Sequence, residues 1–184
     1  MQKINQNGRS MIEMLGVLSI VGVLTVGGIS LYVKALYQRK ITASIDNVGE
    51  LIVNIKNAYI NRRDFSTLTF PQSRDKDTRN LVPEAMSWSS TSAIKDSLMY
   101  GCSFGKHNKS DKMFYVKCAI PDKIACVKLV SAEWGKGTYI GINEEPFDGG
   151  LDKMGTKVAE GKVSIGNANS WCQDNSSVFW VVKK

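Results

Sequence analysis

The chain is poor in the residues that most metal and active sites require. Among 184 residues there is one histidine, His107, and the four cysteines form no Cys-x-x-Cys spacing, so a zinc site is not expected. The glycines at 135, 137 and 141 fit neither GxGxxG nor a phosphate-binding loop, and no Ser-His-Asp set or paired-carboxylate motif is found. We predict no catalysis, no metal and no cofactor, with His107 solvated in its basic polar turn.

Charge is missing from one long segment. Met14 to Val33 are twenty consecutive uncharged residues rich in Leu, Val, Ile and Gly, which matches the roughly 30 Å hydrocarbon core of a bilayer. A buried soluble helix is the first alternative, but twenty residues of such a helix usually include a polar face. A cleaved secretory signal is the second, but its apolar stretch is shorter and ends in an Ala-x-Ala-like site. The segment therefore predicts a membrane helix.

Glu13 is the most informative residue of the sequence. It directly precedes the uncharged segment, and a carboxylate in the central part of a membrane helix costs about 2.5–3.5 kcal/mol, less near the interface. Such carboxylates usually have a partner. One candidate is the Arg9 side chain, four residues earlier on the same helical face. The other is an α-amino group on Arg9 of a neighbouring subunit, which exists only if the chain is cut after Gly8.

The residues from Gly8 to Leu15, Gly-Arg-Ser-Met-Ile-Glu-Met-Leu, resemble the class III signal of type IV pilins and type II secretion pseudopilins. The resemblance implies that a prepilin peptidase cleaves between Gly8 and Arg9 and N-methylates Arg9. Glu13 is then the fifth mature residue, which functions in assembly. The chain departs from the family pattern in having Arg9 where an apolar residue is usual.

The resemblance covers roughly residues 1–60. Gly22 and Tyr32 stand where the family commonly has a glycine and a tyrosine, whereas the helix-kinking proline of the family is absent and Gly27-Gly28 lies near that place. Each glycine weakens a helix by about 1 kcal/mol relative to alanine.

After the apolar segment the pattern becomes amphipathic. One set of apolar residues recurs at steps of four and three: Ile41, Ile45, Val48, Ile52, Ile55 and Tyr59. Such a stripe predicts a helix that is buried along one face. A dimeric coiled coil is the alternative, but only about three heptads are present. We favour a helix half embedded in the domain that follows.

The remainder of the chain predicts an antiparallel sheet. Short strand-like runs are separated by Gly, Pro, Asn and Asp clusters; they are Met113 to Ile120, Ala125 to Val130, Thr138 to Ile142, Lys157 to Ile165 and Val178 to Val182. The expected fold is α+β and pilin-like, with a long N-terminal helix, transmembrane then amphipathic, packed on the sheet. The expected segments are a leader (1–8), a transmembrane assembly helix (9–33), an amphipathic helix (34–62) and a globular head (63–184).

The four cysteines all lie in the head. In an oxidising compartment an even count predicts two disulfides, for which three pairings can be drawn. Cys102 and Cys118 bracket a hairpin-like stretch and so suit a local bridge. The remaining pair, Cys126 and Cys172, resembles type IVb pilins, in which a cysteine early in the C-terminal region pairs with one shortly before the last strand.

The charged residues identify neither the partners of the protein nor the orientation of its apolar segment in a membrane. The net charge of +7 is compatible with contact to DNA or to an anionic host surface, but basic and acidic residues are intermixed and no basic stripe with interleaved aromatics is found. Lys3 and Arg9 flank one end of the apolar segment, and Lys34, Arg39 and Lys40 flank the other, so the positive-inside rule is ambiguous. The leader resemblance implies a cytoplasmic N-terminus.

The expected function is that of a structural subunit of a type IVb-like pilus. The resemblance implies three partners: other copies of the chain, the prepilin peptidase and the assembly platform of the bacterial inner membrane. It also implies an inner-membrane stage followed by an extracellular filament. Two alternatives stay open: a minor pilin or a secretion or competence pseudopilin, and a single-pass membrane protein with a periplasmic binding domain that does not polymerise.

Overall fold

The computed structural model describes residues 9–69, 79–90, 93–145 and 155–184, with the backbone alone at 9–10 and 89–90. The predicted leader, including Gly8, lies outside these residues. The chain divides into two compact units, Met1–Arg39 and Lys40–Lys184. Helix α1, Arg9–Ala58, begins in the first unit and ends in the second.

The first unit is helical from Arg9 and almost wholly apolar on every face. Fifteen large hydrophobic side chains between Met11 and Val33 are 48–75% exposed. Two hydroxyls of this segment bond within the helix: Ser19 Oγ donates to the Gly16 carbonyl at 2.8 Å, and Thr25 Oγ1 donates to the Val21 carbonyl at 2.9 Å. Internal satisfaction of polar groups is what a hydrocarbon environment requires. By length and composition α1 could cross a membrane.

The second unit buries the amphipathic part of α1. Ile41, Val48, Ile52, Ile55 and Tyr59 of the predicted stripe are buried, whereas Ile45 is only half-buried. The centre of the buried face includes three residues that the pattern did not include: Ser44, Asn47 and Leu51. Because this face is buried within the chain itself, it is not available as the seam of a coiled coil.

The end of α1 is held by the C-terminal residue. Lys184 Nζ donates to the Tyr59 carbonyl at 3.1 Å and also to the Arg62 carbonyl. Carbonyl groups at a helix C-terminus lack intrahelical donors and attract cations. The Phe65 ring lies 5.3 Å from that of Tyr59 and 4.9 Å from that of Phe114, so the turn after α1 packs against the sheet.

Seven antiparallel strands form one sheet within the described residues. They are β1 (Ser87–Ser90), β2 (Ala93–Lys95), β3 (Gly101–Lys106), β4 (Met113–Ile120), β5 (Thr138–Ile142), β6 (Val158–Glu160) and β7 (Ser176–Lys183), in the order β1-β2-β3-β4-β7-β5-β6. The central pair is β4 and β7, joined over eight residue pairs from Met113 with Lys183 to Ile120 with Ser176. The protein is therefore α+β, as predicted, and β4, β5 and β7 match predicted strands.

One predicted strand is wrong. Residues 125–130 belong to helix α2, Lys123–Val130, because Asp122 caps its N-terminus by accepting from the Ala125 N–H at 2.9 Å. The apolar residues Ala125, Cys126, Leu129 and Val130 then lie on one buried face, the spacing that a helix provides.

A second predicted strand is too long. Of the stretch from Lys157 to Ile165, only β6 is a strand. Gly161, at φ 75°, turns the chain out of the sheet. Ser164 Oγ then accepts from the Asn167 N–H at 3.3 Å and caps helix α3, Ile165–Trp171. Strands β1, β2 and β3 and helix α3 are not among the predicted elements.

Candidate functional site

The candidate assembly site is the first part of α1. Arg9 is the first helical residue and Glu13 lies about one turn later, at roughly 6 Å of axial rise. Glu13 is exposed, and so are its apolar neighbours Ile12 and Met14. Among the described side chains, which do not include that of Arg9, no ion pair involves Glu13. Glu13 is the one charged residue of the sequence between Arg9 and Lys34.

The free energy of burying the apolar side chains of this segment indicates what surroundings it requires. Removing a large apolar side chain from water is worth about 1.5–3 kcal/mol, and fifteen such side chains are exposed between Met11 and Val33. Their sum exceeds the 5–15 kcal/mol of net stability of a typical domain. The cost of about 3 kcal/mol for inserting the Glu13 carboxylate into a membrane is small beside this sum. The apolar side chains therefore require contact with lipid or with other protein, and the carboxylate does not prevent such contact.

The processing residues are placed only in part. Gly8 lies outside the described residues, and of Arg9 only the backbone is described. Cleavage between them and methylation of Arg9 stay predictions.

The structure brings the four cysteines together in two pairs. Cys102 and Cys118 are directly opposite each other on β3 and β4, with Cα atoms 4.1 Å apart. Cys126, in α2, is joined to Cys172, the C-cap of α3, with Cα atoms 5.9 Å apart. All four are buried. The second bond therefore joins the two short helices just before β7 begins.

The expectation for His107 is wrong. The side chain is only 1% exposed. Its Nδ1 accepts from the Lys109 N–H at 3.2 Å, and its Nε2 lies 3.3 Å from a carboxylate oxygen of Glu145. The polar residues around it in the sequence suggest a solvated turn, but the ring is buried at the β3–β4 turn, where the His107 N–H donates to the Met113 carbonyl at 3.0 Å.

The carboxylate of Glu145 also acts on Tyr115. Burial raises the pKa of the Tyr115 hydroxyl, and the negative charge of Glu145 raises it further. Glu145 and Tyr115 line a small polar cleft of about 250 Å³ together with Ser103, Asn108, Lys117 and Phe179. Lys117 Nζ lies 4.9 Å from the centre of the Phe179 ring, so this cation already has a favourable cation–π contact. The contact between His107 and Glu145 therefore links the β3–β4 turn to the residues that follow β5.

Within the described residues no group of three or more His, Cys, Asp or Glu side chains could hold a metal ion. A comparison of the sequence with protein-family models finds no match, and neither does a comparison with curated proteins.

Proposed function

We propose that the chain is a structural subunit of a type IVb-like pilus, made as a prepilin and polymerised through α1. The observation that carries this proposal is the position of Glu13. It is a lone carboxylate, the fifth residue from Arg9, on a helix whose large apolar side chains are exposed up to Val33. Such a helix requires a membrane before assembly and neighbouring helices after it.

Processing at Gly8 supplies the partner for Glu13. Cleavage between Gly8 and Arg9 creates an α-amino group on Arg9, which N-methylation leaves basic. In the filament this cation pairs with the Glu13 carboxylate of a neighbouring subunit, in an apolar environment where opposite charges attract strongly. Four residues separate the two positions, so the pair sets an axial offset of about 6 Å between neighbouring helices.

The second unit supports a location outside the cytoplasm. It contains two disulfides, which persist in oxidising compartments. The chain thus begins as a single-pass inner-membrane protein with a cytoplasmic N-terminus and later becomes part of an extracellular filament. Its partners are other copies of itself, the prepilin peptidase and the assembly platform, with a host surface or DNA as further contacts of the filament.

The decisive experiment substitutes Glu13. Glu13→Gln preserves the shape of the side chain and removes its charge, so membrane insertion and cleavage should persist while filament assembly fails or slows sharply. Co-expression with the wild-type chain should partly rescue the variant, because the wild-type Glu13 still binds its N-terminus. Glu84→Gln, at an exposed position in the second unit, is the matched control. Assembly of Glu13→Gln alone at the wild-type rate would contradict the proposal.

Two further variants separate the alternatives. A bulky residue in place of Gly8 should block cleavage. In sheared filaments of the wild-type chain, mass spectrometry should find that the N-terminal peptide begins at methylated Arg9. Arg9→Ala retains the α-amino group, so it should assemble; failure of this variant would point to the Arg9 side chain as the partner of Glu13. An intact leader in normal filaments would refute processing. Abundance in sheared filaments distinguishes a major pilin from a minor pilin or pseudopilin, and absence of cleavage indicates a non-polymerising membrane protein.

A further inference from the structure

A groove of about 510 Å³ runs along α1 within the second unit. Its α1 side is lined by Ile45, Asp46, Gly49, Glu50, Ile52 and Val53, and Lys56 continues this row. Glu133 and Trp134, from the turn after α2, form the opposite wall. We refer to it as the α1 groove.

The floor of the α1 groove is apolar and partly exposed. Val53 is 51% exposed, and Ile45 and Trp134 are half-buried. Trp134 is fixed by its Nε1, which donates to the Leu129 carbonyl at 2.9 Å. No atom lies within 4 Å of the position that a Cβ would take on Gly49. A large side chain from another molecule can therefore approach the α1 backbone at Gly49.

The rim of the groove is acidic although the whole chain carries a net charge of +7. Asp46 and Glu50 are exposed and have no ion pair within the described part of the chain. Glu133 has one surface ion pair, with Lys162 at 3.4 Å. Among the described residues that line the groove, Lys56 is the one cation. The groove thus suits a helix with apolar and basic residues on one face.

We infer that the α1 groove binds the α1 segment 33–40 of a second copy of this chain. Val33, Lys34, Tyr37 and Lys40 follow one another at helical spacing and so share one face. That face presents an apolar and aromatic centre between two lysines, which is complementary to the apolar floor and the acidic rim. The inference rests on the proposed filament and adds to it a specific contact between the head of one subunit and the helix of another.

The register of this contact agrees with the Glu13 pair. Placing Tyr37 over Gly49 offsets the two copies by twelve residues, or about 18 Å. The pair between Arg9 and Glu13 offsets neighbours by four residues, so twelve residues correspond to three such steps. In the same register Val33 lies level with Ile45, and Lys34 lies level with Asp46.

Cysteine cross-linking in the assembled full-length protein tests the contact. With Tyr37→Cys and Gly49→Cys in one chain, oxidation of sheared filaments should produce a ladder of disulfide-linked oligomers on a non-reducing gel. The two positions are about 18 Å apart on one helix, so they cannot join within a chain. Val33→Cys with Ile45→Cys is a second pair in the same register, and it leaves Tyr37 in place.

The matched control is Ala43→Cys with Gly49→Cys. Ala43 is small and exposed on the same helix, but it points about 120° away from Gly49, so this pair should give monomers. Filaments that yield no ladder with either register pair would refute the groove contact while leaving the proposed function intact. Chains that never form filaments, with Arg9 never at the N-terminus, would instead refute the proposed function.

Charge reversal provides an independent test. Asp46→Lys or Lys34→Glu alone should weaken the association between subunits roughly five-fold, the upper range for an exposed ion pair. The double variant restores opposite charges, because each chain contributes both surfaces, and should recover most of the wild-type filament yield. A double variant that assembles no better than the two single variants would contradict the pairing of Lys34 with Asp46.

Discussion

The two disulfides should stabilise the second unit by different amounts. Cys102 and Cys118 are 16 residues apart in the sequence, whereas Cys126 and Cys172 are 46 apart. If a disulfide acts mainly by restricting the unfolded chain, these loops correspond to about 3 and about 4 kcal/mol at 25 °C. Loss of the Cys126–Cys172 bond should therefore cost about 1 kcal/mol more than loss of the Cys102–Cys118 bond.

The losses of stability on removing each disulfide can be compared directly, because the two loops do not overlap and all four cysteines are buried. Replacing each pair by alanines removes the same number of sulfur atoms from a buried site. The matched substitutions therefore leave loop length as the principal difference. Contributions from separate, non-contacting sites are expected to add, so a variant without either bond should lose about 7 kcal/mol, comparable to the whole stability of many domains.

The assay is urea unfolding of the full-length chain in detergent, followed by tryptophan fluorescence. Trp180 is fully buried and its ring lies 5.1 Å from that of Trp134, so exposure of this pair reports opening of the sheet. Non-reducing peptide mapping should first show the two bonds as paired here. Free thiols in protein from the native host, a Cys102–Cys172 link, or equal losses of stability in the two variants would refute the reasoning.

Three further tests concern the packing of the second unit. Leu51→Ala, at a 0% exposed position, should cost about 2–5 kcal/mol in the same assay, whereas Val53→Ala, at the exposed flank of α1, should cost far less; similar losses would contradict the assigned buried face. Lys184→Met removes the cation from the carbonyls of Tyr59 and Arg62 and should cost about 1 kcal/mol; an unchanged midpoint would show that the contact contributes nothing. The pKa of Tyr115 is raised by burial and by Glu145, so its stabilising contribution is present below the ordinary pKa near 10 and is lost as the pH rises through the folded pKa. Tyr115→Phe should therefore make unfolding less sensitive to pH above about 10, and an unaltered pH profile would contradict this.

The sequence predicts best the elements whose apolar residues form a helical stripe or a bounded run. The amphipathic part of α1 has a stripe at helical spacing, and β4, β5 and β7 are short runs of largely apolar residues flanked by turn residues, so they are predicted from the chain alone. Leu51 and Ser44 are missed because the predicted stripe, which includes the half-buried Ile45, is centred to one side of the true buried face. Strands β1 and β2 are short, so they depend on pairing with neighbours rather than on their own pattern.

Local capping decides the elements that were predicted wrongly. Residues 125–130 are apolar and partly β-branched, which favours a strand, but the Asp122 cap three residues before Ala125 starts a helix. His107 is a different case. Its neighbours in sequence are polar, but the ring is buried and its Nε2 lies beside the carboxylate of Glu145, 38 residues later. A local sequence pattern cannot indicate a contact between residues so far apart in the sequence.

The two parts of α1 show why the assembly proposal concerns more than one chain. From Ile41 to Tyr59 the helix already has its apolar partner, because the rest of the second unit buries that face. From Met11 to Val33 it has none within the described residues, since every large apolar side chain there is exposed. Lipid can cover such a surface without any register, because the hydrophobic effect has no direction. A carboxylate cannot be satisfied in that way. In the proposed filament Glu13 therefore gives this surface a preferred offset, and the partner proposed for it is a cation at the start of another α1.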